Sequence, residues 1–137
     1  MPRDGQKTSL AGEFFVAGEL LKRGLQTSLT LGNAKAIDLF AINDDGKQFT
    51  IQVKALRDRN NYFPIDPKRI ISACVYVFVI LNKPNISPEF FIVPGDDLYS
   101  QPDKFGKWFL NYEKFPGIHP KDLADYRDNW QLFNPED

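Results

Sequence analysis

Four polar residues in the N-terminal half of the chain have side chains that could do chemistry together. Asp38 interrupts an apolar segment, and Gln52 and Lys54 occupy polar positions of an alternating segment that follows it. Glu13 falls on the apolar face of a predicted helix, where a carboxylate is costly to bury without a partner. Carboxylate and other oxygen atoms are the ligands that Mg²⁺ prefers, and a lysine beside them could orient or deprotonate a water molecule. These residues predict a hard-cation site able to hydrolyse phosphate esters.

Cysteine and histidine offer little to such chemistry. The single cysteine, Cys74, lies inside an apolar run, which indicates a buried thiol and excludes an internal disulfide or a cysteine-based zinc site. The single histidine, His119, is predicted to be a surface residue at the entry to a helix. A Cys-His pair or a Ser-His-Asp triad would have to depend on this one histidine, so we expect neither.

A hairpin decides whether the polar residues meet. The segment Asp44-Asp45-Gly46 is typical of a tight turn between two strands. A three-residue loop places Asp38 opposite Gln52, with Lys54 as the diagonal neighbour on the same face. A two-residue loop places Asp38 opposite Val53 and puts the polar side chains on opposite faces. The glycine at the third position favours the first register.

The elements that must position these residues follow from the hydrophobic pattern. The pattern predicts a helix at 9–23 ended by Gly24, strands at 26–31, 37–42, 49–55, 70–81 and 90–93, a helical turn at 98–101 and a helix at 120–132. Residues 57–69 are predicted to be a loop, and the apolar run 70–81 to be the central strand, covered on both faces. The fold class is therefore α/β, a mixed β-sheet flanked by helices, in a single domain over residues 1–137.

Composition limits the function classes. Seventeen basic and eighteen acidic residues give a net charge of −1, with a net charge of +3 on residues 1–70 and −4 on residues 71–137. A chain-wide basic balance is absent, so contact with a polyanion is expected to be local and in the N-terminal half. The longest apolar run is far too short to span a bilayer, and no signal peptide is visible. We expect a cytoplasmic protein.

A known superfamily combines these features. Gly12-Glu13 on the first helix, Asp38 in the second strand and Gln52-x-Lys54 in the third resemble the motifs of the PD-(D/E)XK nucleases. The order of elements from about residue 9 to residue 93 is also similar. The chain looks most like archaeal Holliday-junction resolvases and Mrr-type restriction endonucleases, some of which also carry glutamine before x-Lys. The resemblance implies a restriction-endonuclease-like fold with an αβββαβ-type core.

The resemblance also implies an activity and a role for each residue. The activity is metal-dependent DNA endonuclease cleavage with Mg²⁺ or Mn²⁺, structure-selective for branched DNA or related to restriction or repair. Glu13 and Asp38 would be metal ligands, Gln52 a ligand directly or through water, Val53 a ligand through its carbonyl, and Lys54 the catalytic lysine. A homodimer would place one site on each strand of a duplex.

Two positions depart from the superfamily pattern, and three cations lie near it. Ile37 stands where the superfamily name has proline, and Gln52 removes one negative charge, so weaker binding of one ion rather than two is expected. The nearby cations could contact phosphates that flank the scissile bond; these are Lys35, Arg57 and Arg59.

Other interpretations of the same residues stay open. Glu13 could be a rim carboxylate with its head in water, and Asp38 a structural partner of a lysine. Tyr62-Phe63-Pro64 could stack on a splayed base, contact a second subunit or anchor a loop. The C-terminal aromatic residues are expected in the core; they are Trp108, Phe109, Trp130 and Phe133. The alternative functions are a catalytically inactive nuclease-fold module that binds nucleic acid or a protein, and an RNA-directed nuclease.

Overall fold

The computed structural model describes residues 4–110 and 114–135. Its α-helices are α1 (Asp4–Lys22), α2 (Gly95–Ser100) and α3 (Lys107–Leu110). Its strands are β1 (Gln26–Leu29), β2 (Leu39–Ile42), β3 (Gln48–Leu56), β4 (Phe63–Pro64), β5 (Val75–Ile80), β6 (Glu89–Pro94) and β7 (Gly117–Ile118). Short 3₁₀ helices occupy Pro67–Arg69, Pro102–Phe105, Pro120–Tyr126 and Trp130–Phe133.

Five of the strands form a mixed sheet in the order β1-β2-β3-β5-β6, in which only β3 and β5 are parallel. This confirms the predicted α/β class with a mixed sheet flanked by helices. All six residues of β5 are buried, as expected for a strand covered on both faces. The prediction that this strand is the central one is wrong, because β3 occupies the middle of the five strands. The connection from β3 to β5 carries β4 and one 3₁₀ helix, where an αβββαβ core would have an α-helix.

The hairpin between β2 and β3 has the three-residue loop. The Asn43 N–H donates to the Lys47 carbonyl at 3.0 Å, and Ile42 is the partner of Gln48. Gly46 has φ of +83°, a left-handed conformation that costs a glycine little. The Asn43 side chain stabilises the loop, because its amide oxygen accepts hydrogen bonds from two main-chain N–H groups of the turn.

Helix α1 packs on the sheet with a face that matches the predicted one only in part. The predicted apolar arc consists of Leu10, Phe14, Ala17, Leu20 and Leu21. Ala17 and Leu20 are buried as predicted, whereas Phe14 is 54% exposed and Leu10 and Leu21 are exposed as well. The buried face also contains Thr8, Gly12 and Val16, so most of its residues are small. Small residues let the helix approach the sheet closely, so packing and not the number of large apolar residues chose this face. Glu13 consequently lies at its border and is half-buried.

The predicted C-terminal helix at 120–132 is wrong, although its core residues are buried. Two 3₁₀ helices take its place, separated at Asp128, which has φ of +52° and donates its N–H to the Phe90 carbonyl at 2.9 Å. Tyr126 packs on one face of the sheet and Trp130 on the other. One straight helix cannot pack on both faces of the sheet, so the helical segment is interrupted where the chain passes the edge strand β6.

The remaining aromatic residues divide between core and surface. Phe63 and Phe109 are fully buried, whereas Trp108 is 56% exposed, so its predicted place in the core is wrong. Within residues 4–110 and 114–135, no helix is both long and apolar enough to cross a membrane.

Candidate active site

The candidate site lies where β3 loses one of its two neighbours. The ladder between β2 and β3 ends at the pair Leu39 and Ile51, whereas β3 continues to Leu56 paired only with β5. Five residues of β3, from Gln52 to Leu56, therefore have an edge that β2 does not cover. The N-terminal half of α1 packs on the side chains of Val53 and Ala55 in this segment.

Asp38 marks the end of the ladder. It stands immediately before β2, not inside the strand as predicted, and its N–H donates to the Ile51 carbonyl at 2.9 Å. Its carboxylate Oδ2 accepts a hydrogen bond from the Val53 N–H at 2.8 Å. The Asp38 carboxylate thus accepts the hydrogen bond that a main-chain carbonyl of β2 would accept if the ladder continued. Asp38 lies close to its predicted position opposite Gln52. The carboxylate is thereby fixed at the open edge.

The same hydrogen bond orients the Val53 carbonyl. In a strand that is part of a ladder, the N–H and C=O of one residue point to the same edge. Because the Val53 N–H points to Asp38, the Val53 carbonyl also lies on the open edge. A main-chain oxygen and a carboxylate therefore face the same side of β3.

Glu13 reaches the site from α1. The pKa of its carboxyl is raised, first by burial and second by the negative charge of Asp38. A neighbouring carboxylate disfavours the ionised form of Glu13 because the two charges have the same sign. A cation between them would relieve that repulsion.

This raised pKa predicts a pH-dependent gain in stability for Glu13→Gln. The folded protein holds the proton more tightly than the unfolded chain, so the free energy of unfolding falls as pH rises from the ordinary value near 4.5 through the raised one. In thermal melts with a chelator, we expect a small gain in Tm for Glu13→Gln at pH 8 and no gain at pH 4. Glu19→Gln, on the same helix but outside the cleft, is the control, and an equal gain there would contradict the argument.

Gly12 allows α1 to come this close. A Cβ atom at Gly12 would lie 2.7 Å from the Cβ of Ala55 and 3.5 Å from Cγ1 of Val53. No larger residue fits without moving the helix away from β3. The glycine before Glu13 therefore positions the carboxylate by letting the helix and the strand touch.

We expect Gly12→Ala to destabilise the protein by about 1–3 kcal/mol through overpacking and to weaken Mn²⁺ binding, because Glu13 moves outward with the helix. Gly18→Ala is a matched control on α1, since nothing lies within 4 Å of its Cβ position. That control should gain up to about 1 kcal/mol from helix propensity. Urea unfolding measures both variants, and a stabilised Gly12→Ala would refute the close contact.

Gln52 and Lys54 project from the same side of β3. The Gln52 amide nitrogen donates to the Tyr76 hydroxyl at 3.2 Å, and that hydroxyl also accepts from the Ile71 N–H at 2.9 Å. The amide oxygen of Gln52 is then the end available to a ligand. Lys54 is half-buried, and no acidic side chain within residues 4–110 and 114–135 forms an ion pair with it.

A cleft of about 660 Å³ brings most of the predicted residues together. It is lined by Glu13, Asp38, Gln52, Val53, Lys54 and Arg57. The Arg57 Nε donates to the Thr8 hydroxyl at 2.9 Å, which joins the end of β3 to the first turns of α1. Two predicted phosphate contacts lie outside the lining. Lys35 is exposed in the preceding loop, and Arg59 pairs with Glu89 at 2.6 Å.

The donor atoms around the cleft suit a hard divalent cation. Two carboxylates, an amide oxygen and a main-chain carbonyl are oxygen ligands of the kind that Mg²⁺ binds together with water. Within the described part of the chain, no group of three or more His, Cys, Asp or Glu residues could hold a metal. The set of donors offers two negative charges to a cation.

Sequence reasoning missed two residues of the site. Tyr76 orients Gln52, and its polar hydroxyl in an apolar run was the available signal, but its position beside Gln52 depends on parallel pairing between β3 and β5. Ala36 lines the cleft with φ of +61°, a left-handed conformation that is strained for alanine. Nothing in the sequence signals that strain.

Comparison with known proteins identifies the fold. No protein family profile and no curated protein matches the chain. Among solved structures, it is similar to a bacterial homing endonuclease, I-Ssp6803I, with a TM-score of 0.65 and 16% sequence identity. The match covers 99% of this chain and 94% of that one. At this identity the similarity shows a shared fold over nearly the whole chain.

Proposed function

We propose that this protein is a metal-dependent DNA endonuclease of the PD-(D/E)XK type, which hydrolyses phosphodiester bonds with Mg²⁺ or Mn²⁺. The observation that carries the proposal is the meeting of Glu13 and Asp38 at the open edge of β3, beside Gln52 and Lys54. The structural neighbour is an endonuclease by name, which supports the reaction class. DNA as the substrate follows from the motif resemblance.

Each residue has a role in this mechanism. Glu13, Asp38 and the Val53 carbonyl would hold the cation, and Gln52 would add a ligand directly or through water. When bound, the cation supplies charge stabilisation for the phosphate oxygens and lowers the pKa of a water ligand. The Lys54 side chain, which has no acidic partner among the described residues, would orient the attacking water by donating a hydrogen bond to it, and in its neutral amine form would accept the proton that the water releases. Arg57 holds a flanking phosphate.

The proposal is tested by cleavage of labelled duplex, four-way junction, flap and single-stranded DNA with Mg²⁺, Mn²⁺ or a chelator. We expect cleavage only with a divalent cation, and the preferred DNA shape identifies the substrate. A folded protein that cleaves none of these DNAs with either cation would overturn the proposal. RNA of the same shapes is tested in parallel, and cleavage of RNA in preference to DNA would favour the RNA-directed nuclease.

One observation favours the second candidate, a nuclease-fold module that binds without hydrolysis. Gln52 is neutral, and its amide is tied to the Tyr76 hydroxyl, so the cation site has less charge than three carboxylates would give. Such a module would bind DNA or a protein equally well with and without Mn²⁺. The metal titrations below therefore separate the two candidates.

Gln52→Glu tests whether residue 52 belongs to the metal shell. The added charge should tighten Mn²⁺ binding about tenfold, because affinity for hard cations rises with the charge of the ligands. The Tyr76 hydroxyl can still pair with the new carboxylate. Gln48→Glu makes the same change on an exposed residue of β3 and should leave the Kd unchanged in calorimetric titration. Equal Kd values for both variants would place residue 52 outside the shell.

The homodimer is a further part of the proposal. A chain of 137 residues covers little of a duplex, so two copies would place one site on each strand. The exposed apolar residues of α1 offer a surface for such contact; they are Leu10, Phe14, Phe15 and Leu21. Sedimentation velocity over a range of concentrations measures the mass in solution, and a monomer at all of them would contradict a dimer.

A further inference from the structure

A second hollow adjoins the catalytic cleft. It has a volume of about 530 Å³ and shares Gln52 and Lys54 with the cleft. Its other walls include Tyr62, Ile70 and Phe115. We call the part formed by these three residues the aromatic groove. Because Gln52 and Lys54 line both cavities, a ligand group in the groove would lie close to a phosphate bound in the cleft.

The aromatic groove exposes a large apolar ring to solvent. Phe115 is 72% exposed, and it lines the groove instead of packing in either core cluster. A ring this exposed can bury apolar surface against a ligand, which favours binding. The groove thus presents an exposed aromatic ring in a hollow that shares Gln52 and Lys54 with the catalytic cleft.

The second aromatic wall is held rigidly. The Tyr62 ring lies against Gly117, where a Cβ atom would collide with ring carbons. Trp108 and His119 flank the same ring, with centroid distances of 6.0 and 5.8 Å. This packing fixes the Tyr62 ring before any ligand arrives, which lowers the entropy cost of binding.

The groove also carries positive charge. Among the described residues that line the hollow around it, Lys54, Arg69 and Lys114 are basic and Asp66 is acidic. The Arg69 side chain is 88% exposed, and its contact with Asp66 is long, at 3.8 Å. Aromatic faces combined with lysine and arginine are the combination that binds nucleotides of single strands, the rings by stacking and the cations by phosphate contact.

Base pairing decides which nucleotide can enter. A base inside a duplex is stacked on both faces and cannot lie on a side chain, whereas an unpaired or extruded base can. We propose that the aromatic groove binds an unpaired nucleotide of the DNA strand, next to the phosphate that the catalytic cleft holds. This inference rests on the proposed function and names its substrate class, DNA with unpaired nucleotides at the cleavage point.

Fluorescence titration with a short oligothymidylate in a chelator tests the groove apart from catalysis. Trp108 contacts Tyr62 and serves as the reporter, and the other tryptophan, Trp130, is buried. We expect Phe115→Ala to weaken binding about tenfold through lost stacking and Lys114→Ala to weaken it less. Tyr99→Ala removes a 65% exposed ring outside the groove and should bind like the parent protein.

The outcomes are distinct from those of the cleavage assay. Unchanged oligothymidylate binding by Phe115→Ala, or binding of a blunt duplex with the same dependence on Phe115, would overturn the inference. Binding of oligothymidylate that depends on Phe115 would support it even if the protein cleaved no DNA, since that failure concerns only the proposed hydrolysis. Phe115 is exposed, so its removal leaves the core intact, and circular dichroism verifies the fold.

Discussion

Asp38→Asn is expected to reduce DNA cleavage by at least about 10³-fold, because in the proposed mechanism Asp38 helps to hold a cation that would supply several kcal/mol of transition-state stabilisation. Asparagine keeps an oxygen that can accept the 2.8 Å hydrogen bond from the Val53 N–H. The variant therefore removes the charge and preserves the end of the ladder. We expect the folded state to keep its Tm and to lose calorimetric Mn²⁺ binding.

The control for Asp38→Asn is Asp44→Asn, which removes an exposed carboxylate from the hairpin loop. That variant should cleave DNA and bind Mn²⁺ like the parent protein. Full cleavage by Asp38→Asn would contradict the metal-ligand role. Loss of cleavage with Mn²⁺ binding retained would also contradict it, because the carboxylate would then act on the substrate and not on the ion.

Lys54→Ala is expected to lower kcat by about 10²–10⁴-fold, the range for loss of a general acid or base, and to leave the Kd for Mn²⁺ nearly unchanged. The lysine lines the cleft but supplies no oxygen ligand. Single-turnover cleavage at saturating Mn²⁺ measures the chemical step, and calorimetry measures the metal. The split between rate and metal affinity distinguishes Lys54 from Asp38.

Lys83→Ala is the control for Lys54→Ala, since Lys83 is exposed in the turn between β5 and β6, away from the cleft. Its kcat should equal that of the parent protein. A Lys54→Ala variant with unchanged kcat but weaker DNA binding would show that the ammonium contacts phosphate only. That result would remove the lysine from the attack step.

Local signals in the sequence predicted much of the fold because their physics lies within a few residues. A glycine at the third loop position stabilises the three-residue turn, and this turn fixed the β2–β3 register. The unbroken apolar run predicted that β5 would be covered on both faces. The alternating pattern likewise placed Gln52 and Lys54 together on one side of β3.

The predictions that were wrong depend on distant partners. Apolar residues occur all around α1, so the sequence could not show that Gly12 and not Phe14 faces the sheet. The 120–132 segment has helical spacing, yet it divides between two faces of the sheet because β6 is the edge strand. Packing against other elements overrides local periodicity in both cases.

The sequence by itself determined which chemistry the protein could do: Glu13, Asp38 and Gln52-x-Lys54 supply oxygen ligands and an ammonium, and a turn places the last three near one another. Only the tertiary structure decided that β2 ends early and leaves the edge of β3 open. It also placed Phe115 beside Lys54, from a segment about sixty residues away along the chain. Residue type and turn geometry are local properties, whereas an open edge and a groove arise when separate segments pack together.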